Sequence, residues 1–161
     1  MPMATLRKAT AGDAVAIAEL IELKRRPYAA YQPVFWRVAP DAVARQVPYL
    51  RELLERSDTM GLVAEAEGGH IGGALVARIV PSPAVYALPG PTCSIDDYWV
   101  ADRKAWDTLG RALLTEVCRL ARESHGAAQV VVVCAQQDED KRAMLRLAGL
   151  TVASEWWTRP L

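Results

Sequence analysis

The stretch Ser94–Leu114, SIDDYWVADRKAWDTLGRALL, leads from a strand into an amphipathic helix. Cys93, just before it, and Ile95 share one face of an extended chain, and so do Tyr98 and Val100. The two apolar sets are out of step by one residue. That slip predicts a β-bulge between Ile95 and Tyr98, which bends the strand away from a neighbour. Further on, Leu109, Ala112, Leu113, Val117, Leu120 and Ala121 recur at helical spacing. A helix is therefore predicted from Asp107 or Thr108 to about Ser124, with Asp107 as its N-cap and Gly126 closing its C-terminal end.

Upstream, Thr5–Ala9 reads as a strand, and Thr10 with Asp13 forms a capping-box-like helix start. Val15, Ile17, Leu20, Ile21 and Leu23 continue that helix, which Pro27 should close. RRPYAAYQPVFWRVAP, 25–40, is a loop or broken helix. A second helix begins near Asp41, buries Val43, Val47, Leu50 and Leu54, and is kinked or split at Pro48. Met60–Val80 reads as a β-hairpin around EGGH, where glycine supplies positive φ. Four prolines between Pro81 and Thr92 make that segment a loop. Downstream, QVVVVCA, 129–135, reads as a strand covered on both faces. A last helix spans roughly Asp138–Ala148 and ends at Gly149, and 150–161 reads as a terminal strand. Trp156 and Trp157, adjacent on it, face opposite ways, so one is exposed or at an interface.

The chain has 161 residues, 52% of them hydrophobic, which suits one domain over 1–161. Lys plus Arg and Asp plus Glu are both 19. This balance, with no long run of one sign, argues against a nucleic-acid or membrane-surface partner. The N-terminus has no apolar targeting segment and no apolar run is long enough to span a bilayer, so a cytoplasmic protein is expected. Cys93, Cys118 and Cys134 are spaced neither for disulfides nor for a metal, and His70 and His125 sit beside turn glycines. No metal site is expected.

The order of elements, with a bulged strand feeding the central helix, resembles the GNAT N-acetyltransferase superfamily over nearly the whole chain. GLVAEAEGGHIGGALV is similar to its second and third strands, SIDDYWVADRKAWDTLGRALL to its fourth strand and cofactor loop, and MLRLAGL to its fourth-helix ending. The resemblance implies an α/β fold of the α+β type: a mixed, mostly antiparallel twisted sheet with a bulged fourth strand, flanked by about four helices. It implies acetyl-CoA as cosubstrate, with its pantetheine along the backbone of Tyr98, Trp99 and Val100. The pyrophosphate would lie over the following loop and helix N-terminus, at Ala105, Thr108, Leu109, Gly110 and Arg111.

Several positions depart from the family pattern. Its loop carries Arg or Gln, Gly, and Gly or Ala where this chain has Ala105, Thr108 and Gly110, so only the last matches. Trp106 either packs on a neighbouring helix or belongs to an altered phosphate loop. Asp107, as a cap, would occupy amides that a phosphate needs. The tyrosine that commonly protonates the leaving thiolate is replaced by Leu145, which has no proton to give. The family's helix-four Asn falls near Asp138. One strand after Gly149, where relatives have two, implies a shortened hairpin or one completed by a partner chain, a homodimer.

For chemistry, amine acylation needs a base and a donor to sulfur. Asp97 is the candidate base or a hydrogen-bonded structural acid at the bulge; Asp96 and Glu65 are nearby alternatives. Cys134 is a candidate nucleophile or proton donor, or plain packing. Tyr28, Tyr31, Phe35, Trp36 and Tyr86 either line the acceptor pocket or pack a loop. The expectation is an N-acyltransferase acting directly on a small-molecule amine rather than a protein amine. Its rival is a GNAT-fold binding or regulatory protein without transfer.

Overall fold

The computed structural model describes residues 4–66 and 68–161. Five strands form one sheet in the order β1 (Thr5–Lys8), β2 (Thr59–Glu65), β3 (Ile71–Val80), β4 (Thr92–Val100) and β5 (Gln129–Val132). The first four are antiparallel and β5 is parallel to β4. The hairpin between β2 and β3 turns through Gly68 and Gly69, at φ of 85° and 79°. The EGGH turn includes Glu67, which lies outside the described residues.

The slip between Ile95 and Tyr98 is a bulge. Val76 pairs with Asp97 and Ala77 with Ile95, leaving Asp96 as the extra residue. Because one residue is absorbed there, Cys93, Ile95, Tyr98 and Val100 all reach the same core. On that face pack α3 (Arg111–His125) and α4 (Glu139–Leu147). On the other, Val63, Ala74, Val76 and Trp99 meet α1 (Ala14–Arg25) and α2 (Ala42–Glu55). Thr10 and Asp13 start α1 as expected, the Thr10 amide donating to the Asp13 carboxylate at 2.7 Å. α1 ends at Arg25, two residues before Pro27, as expected, and the chain continues as a 3-10 turn over Arg26–Ala30.

Four expectations are corrected. Pro48 does not split the second helix; it is exposed inside one 14-residue α2, where a missing amide and a tilted carbonyl can meet water. The central helix begins earlier than Asp107: a 3-10 turn over Arg103–Ala105 and a π turn over Trp106–Gly110 precede α3. β5 is not covered on both faces. It is an edge strand, and Val131 and Val133 are exposed because α1 and α2 lie over β2–β4 instead. Residues 151–161 form no strand; they are exposed, and Trp156 and Trp157 both face solvent. A strand needs a partner edge for its backbone groups, and none of these residues pairs with β5.

Candidate functional site

The site lies where β4 outruns β5. Their pairing ends at Ile95 opposite Val132, with one further bond from the Val133 amide to the Ile95 carbonyl at 3.0 Å. Beyond it, Tyr98, Trp99 and Val100 continue without β5, so a slot opens between Tyr98 and Val133. Among the described residues a single side chain bridges it. Lys141, on the first turns of α4, sends its ammonium to the carbonyls of Tyr98 and Val133, 3.1 Å each. Lys141 is 1% exposed. Its Nζ sits 5.1 Å from the ring centres of Tyr98 and Trp99 and 5.5 Å from that of Trp106. Those π faces attract a cation. Burial lowers the Lys141 pKa, opposed by Cys134, Asp138 and Asp97.

Around the slot the candidate residues divide by face. Asp97 turns toward α1 and α2, where Arg25 holds it at 2.6 Å and Gln46 Nε2 lies at 3.5 Å. Asp96 instead faces solvent and pairs with Arg78 at 3.1 Å. Glu65 is tied to Arg7 at 2.6 Å, which also grips Asp13. Cys134 follows β5, half-buried, its thiol 3.5 Å from the Ala135 carbonyl. Burial pushes that thiol up to about 11, which favours the protonated form at neutral pH.

Tyr28, Tyr31, Phe35 and Trp36 come together as a chain of ring contacts between 4.8 and 5.2 Å, and Trp99 joins it through Tyr28 at 5.2 Å. Trp156 reaches Phe35 at 6.0 Å. Tyr86 is exposed on the proline-rich loop, outside these contacts. The Tyr28 hydroxyl donates to Asp138 across the mouth of the slot, and burial raises its pKa. Trp99 Nε1 is a buried donor with no partner among the described residues. Leaving such a group unpaired costs about 1–3 kcal/mol.

The loop after β4 differs from its sequence reading. Asp102, not Asp107, caps the helical path: its carboxylate accepts from the Lys104 amide at 3.0 Å. The Ala105 amide goes to the Asp102 carbonyl at 2.9 Å, and that of Trp106 to the Arg103 carbonyl. Asp107 is exposed and pairs with Arg111 at 3.5 Å. Thr108 turns its hydroxyl back to the Ala105 carbonyl at 3.3 Å, and Leu109 packs toward the core beside Gly72. Trp106 is buried edge-on to Tyr98, 5.0 Å between ring centres. Gly110 lies under it: a Cβ there would stand 2.6 Å from Trp106 Cε3. The residue that matched the family loop is thus a seat for an indole, and the extra residue of the π turn tucks that indole inward.

Beside this loop is a groove of about 610 Å³ lined by Lys24, Ala101, Asp102, Arg103, Lys104 and Asp140. Lys24 donates to the Ala101 carbonyl, and Arg103 pairs with Asp140 at 2.6 Å. Three cations against two carboxylates suit a phosphate at the mouth. In the slot itself the Tyr98 carbonyl receives the Lys141 ammonium, and that side chain is buried between β4 and Val133.

Sequence reasoning missed Lys141, Trp99 Nε1 and the Tyr28–Asp138 pair. A signal existed for Lys141: it shares a helical stripe with the buried Met144 and Leu145, at spacings of three and four. No group of His, Cys, Asp and Glu among the described residues could hold a metal, and no described helix is long and apolar enough to cross a membrane.

Solved structures share this architecture. A protein of Bacillus halodurans superposes with a TM-score of 0.82 at 16% identity, over 98% of this chain and 99% of that one. A predicted acetyltransferase from Clostridium acetobutylicum, with acetyl-CoA, gives 0.74 at 16%, over 98% and 96%. An aminoglycoside 6'-N-acetyltransferase from Acinetobacter baumannii gives 0.72 at 12%, over 98% of each. No curated protein matches the chain by sequence. The acetyltransferase (GNAT) family model, however, matches residues 18–149. The bulged β4, its parting from β5 and this match agree, and the chain belongs to the GNAT acetyltransferase family.

Proposed function

We propose that the chain is an acyl-CoA-dependent N-acyltransferase, most simply an acetyltransferase, that passes the acyl group directly to an amine in a ternary complex. The observation that carries this reading is the parting of β4 from β5 beyond the bulge, with a cationic groove at its mouth. Tyr98, Trp99 and Val100 would line the acyl donor. Arg111 and the groove lysines would face its phosphates, beside Ala105, Thr108, Leu109 and Gly110. Asp97, paired with Arg25, would take the proton of the incoming amine, directly or through water. Cys134, a thiol at neutral pH, would donate rather than attack. Tyr31, Phe35 and Trp36, with Tyr86 on the neighbouring loop, would receive the acceptor. Their apolar faces favour a small amine over a protein lysine.

A second reading, a GNAT-fold binding or regulatory protein without transfer, is favoured by two observations: Lys141 in the slot and the loop amides already bonded. A thermal-shift titration with acetyl-CoA and CoA separates the two. Ligand at a hundred times its Kd stabilises by about 2.7 kcal/mol. A shift supports the transferase; no shift at millimolar ligand removes it and leaves the binding protein.

A further inference from the structure

Lys141 is an unusual residue to bury. Its ammonium is in no ion pair among the described residues; it meets two neutral carbonyls and three aromatic rings. Burying a charge without a counter-ion is unfavourable, and an apolar residue of similar size would fill the same space without that cost. Packing alone therefore gives no reason for lysine here. What lysine does that leucine or methionine cannot is donate to two strands at once. One partner, Tyr98, is on β4; the other, Val133, follows β5, and the two backbones have no direct ladder bond at that level. The ammonium stands in for the missing rungs. It thereby fills the space beside the β4 carbonyl to which an extended, amide-bearing ligand would donate in running along β4 as an added strand.

The surroundings reinforce the closure. Trp106 lies over the ammonium and is itself seated on Gly110, and Tyr98 is anchored by its hydroxyl to the Gly110 carbonyl. Loop, strand and α4 are thus locked through one side chain. Lysine is also the longest unbranched side chain. It can swing out of a slot by rotation about several bonds without moving its helix.

We propose that Lys141 is the specificity-determining residue of the slot: its ammonium occupies the space between β4 and β5, so an acyl-CoA enters only when that side chain withdraws. This rests on the acyl-CoA reading of the same slot. It predicts that the native chain binds CoA weakly and that shortening residue 141 improves binding, the reverse of what removing a ligand contact does.

The test is calorimetric titration of CoA into the full chain and into Lys141→Ala and Lys141→Met, with circular dichroism melts to verify folding. Lys141→Ala is expected to bind about tenfold more tightly than the native protein or better. Lys141→Met retains the bulk and loses the donors; it should gain affinity too, though less, and serves as the test if the alanine variant does not fold. Equal or weaker CoA binding by the folded variants overturns the proposal. The outcomes also separate it from the functional reading. Binding by the variants but not by the native chain supports the plug and removes the acyl-CoA reading for the native protein. Equal binding by all three removes the plug and leaves that reading standing. No binding by any of them removes both.

Discussion

Trp106→Ala is expected to lower the unfolding free energy by about 3–5 kcal/mol, the range for removing a buried indole, as measured by urea denaturation. The indole is 5% exposed, packs edge-on against Tyr98, and covers both Gly110 and the Lys141 ammonium. Its loss leaves a cavity beside a buried charge, which the neighbouring helix cannot collapse to fill. Gly110 supplies a control. In the native background Gly110→Ala pushes a Cβ into the ring, and overpacking of that kind costs about 1–3 kcal/mol. In the Trp106→Ala background the same change meets open space and should stabilise, by up to about 1 kcal/mol from helix propensity. A reversal of sign between the two backgrounds establishes the coupling. Additive effects would mean that Gly110 serves the loop backbone rather than the indole.

The second large effect is on turnover. If Asp97 takes the proton from the amine, Asp97→Asn should reduce kcat by about 10²–10⁴, the usual contribution of a general base. The fold should change little, since the amide oxygen can still accept from Arg25, and Gln46 can turn its own Oε1 to accept from the new NH2. Steady-state kinetics with acetyl-CoA and a panel of small amines, alongside a thermal melt, reads both quantities. Unchanged kcat in a folded variant would remove Asp97 from the chemistry and make it a strut between the bulge and α1.

The bulge was legible because side chains on a strand alternate strictly: a three-residue step between buried positions, Ile95 to Tyr98, has no other economical explanation. The start of the central helix was not. Asp102 and Asp107 are equally good caps by residue type, and what selects Asp102 is the burial of Trp106 against Tyr98, a contact with a residue on another element. The valine run of β5 reads the same whether a strand is covered or at an edge; only the placement of α1 and α2 over β2–β4 decides it. The strand expected in 150–161 failed for a related reason, since residue types in one segment do not name the edge it would pair with.

The site was legible in outline. The aromatic segment Tyr28–Trp36 and Asp97 do come near the open end of β4, through Trp99 and Arg25 respectively. Its decisive residue was hidden by its own type. A lysine on a short polar helix reads as solvated, and only its spacing from Met144 and Leu145 marks the stripe that α4 turns into the sheet. Gly110 carries a second requirement that its position in the loop did not reveal. It stands where a phosphate loop has glycine, yet the requirement for it here comes from an indole four residues earlier.

The most direct measurement is a crystal structure of Lys141→Ala grown with CoA. The account predicts the pantetheine arm between β4 and β5, with one of its amides donating to the Tyr98 carbonyl and its phosphates beside Lys24, Arg103 and Lys104. CoA bound elsewhere on the surface, or a slot left empty at saturating CoA, would contradict it.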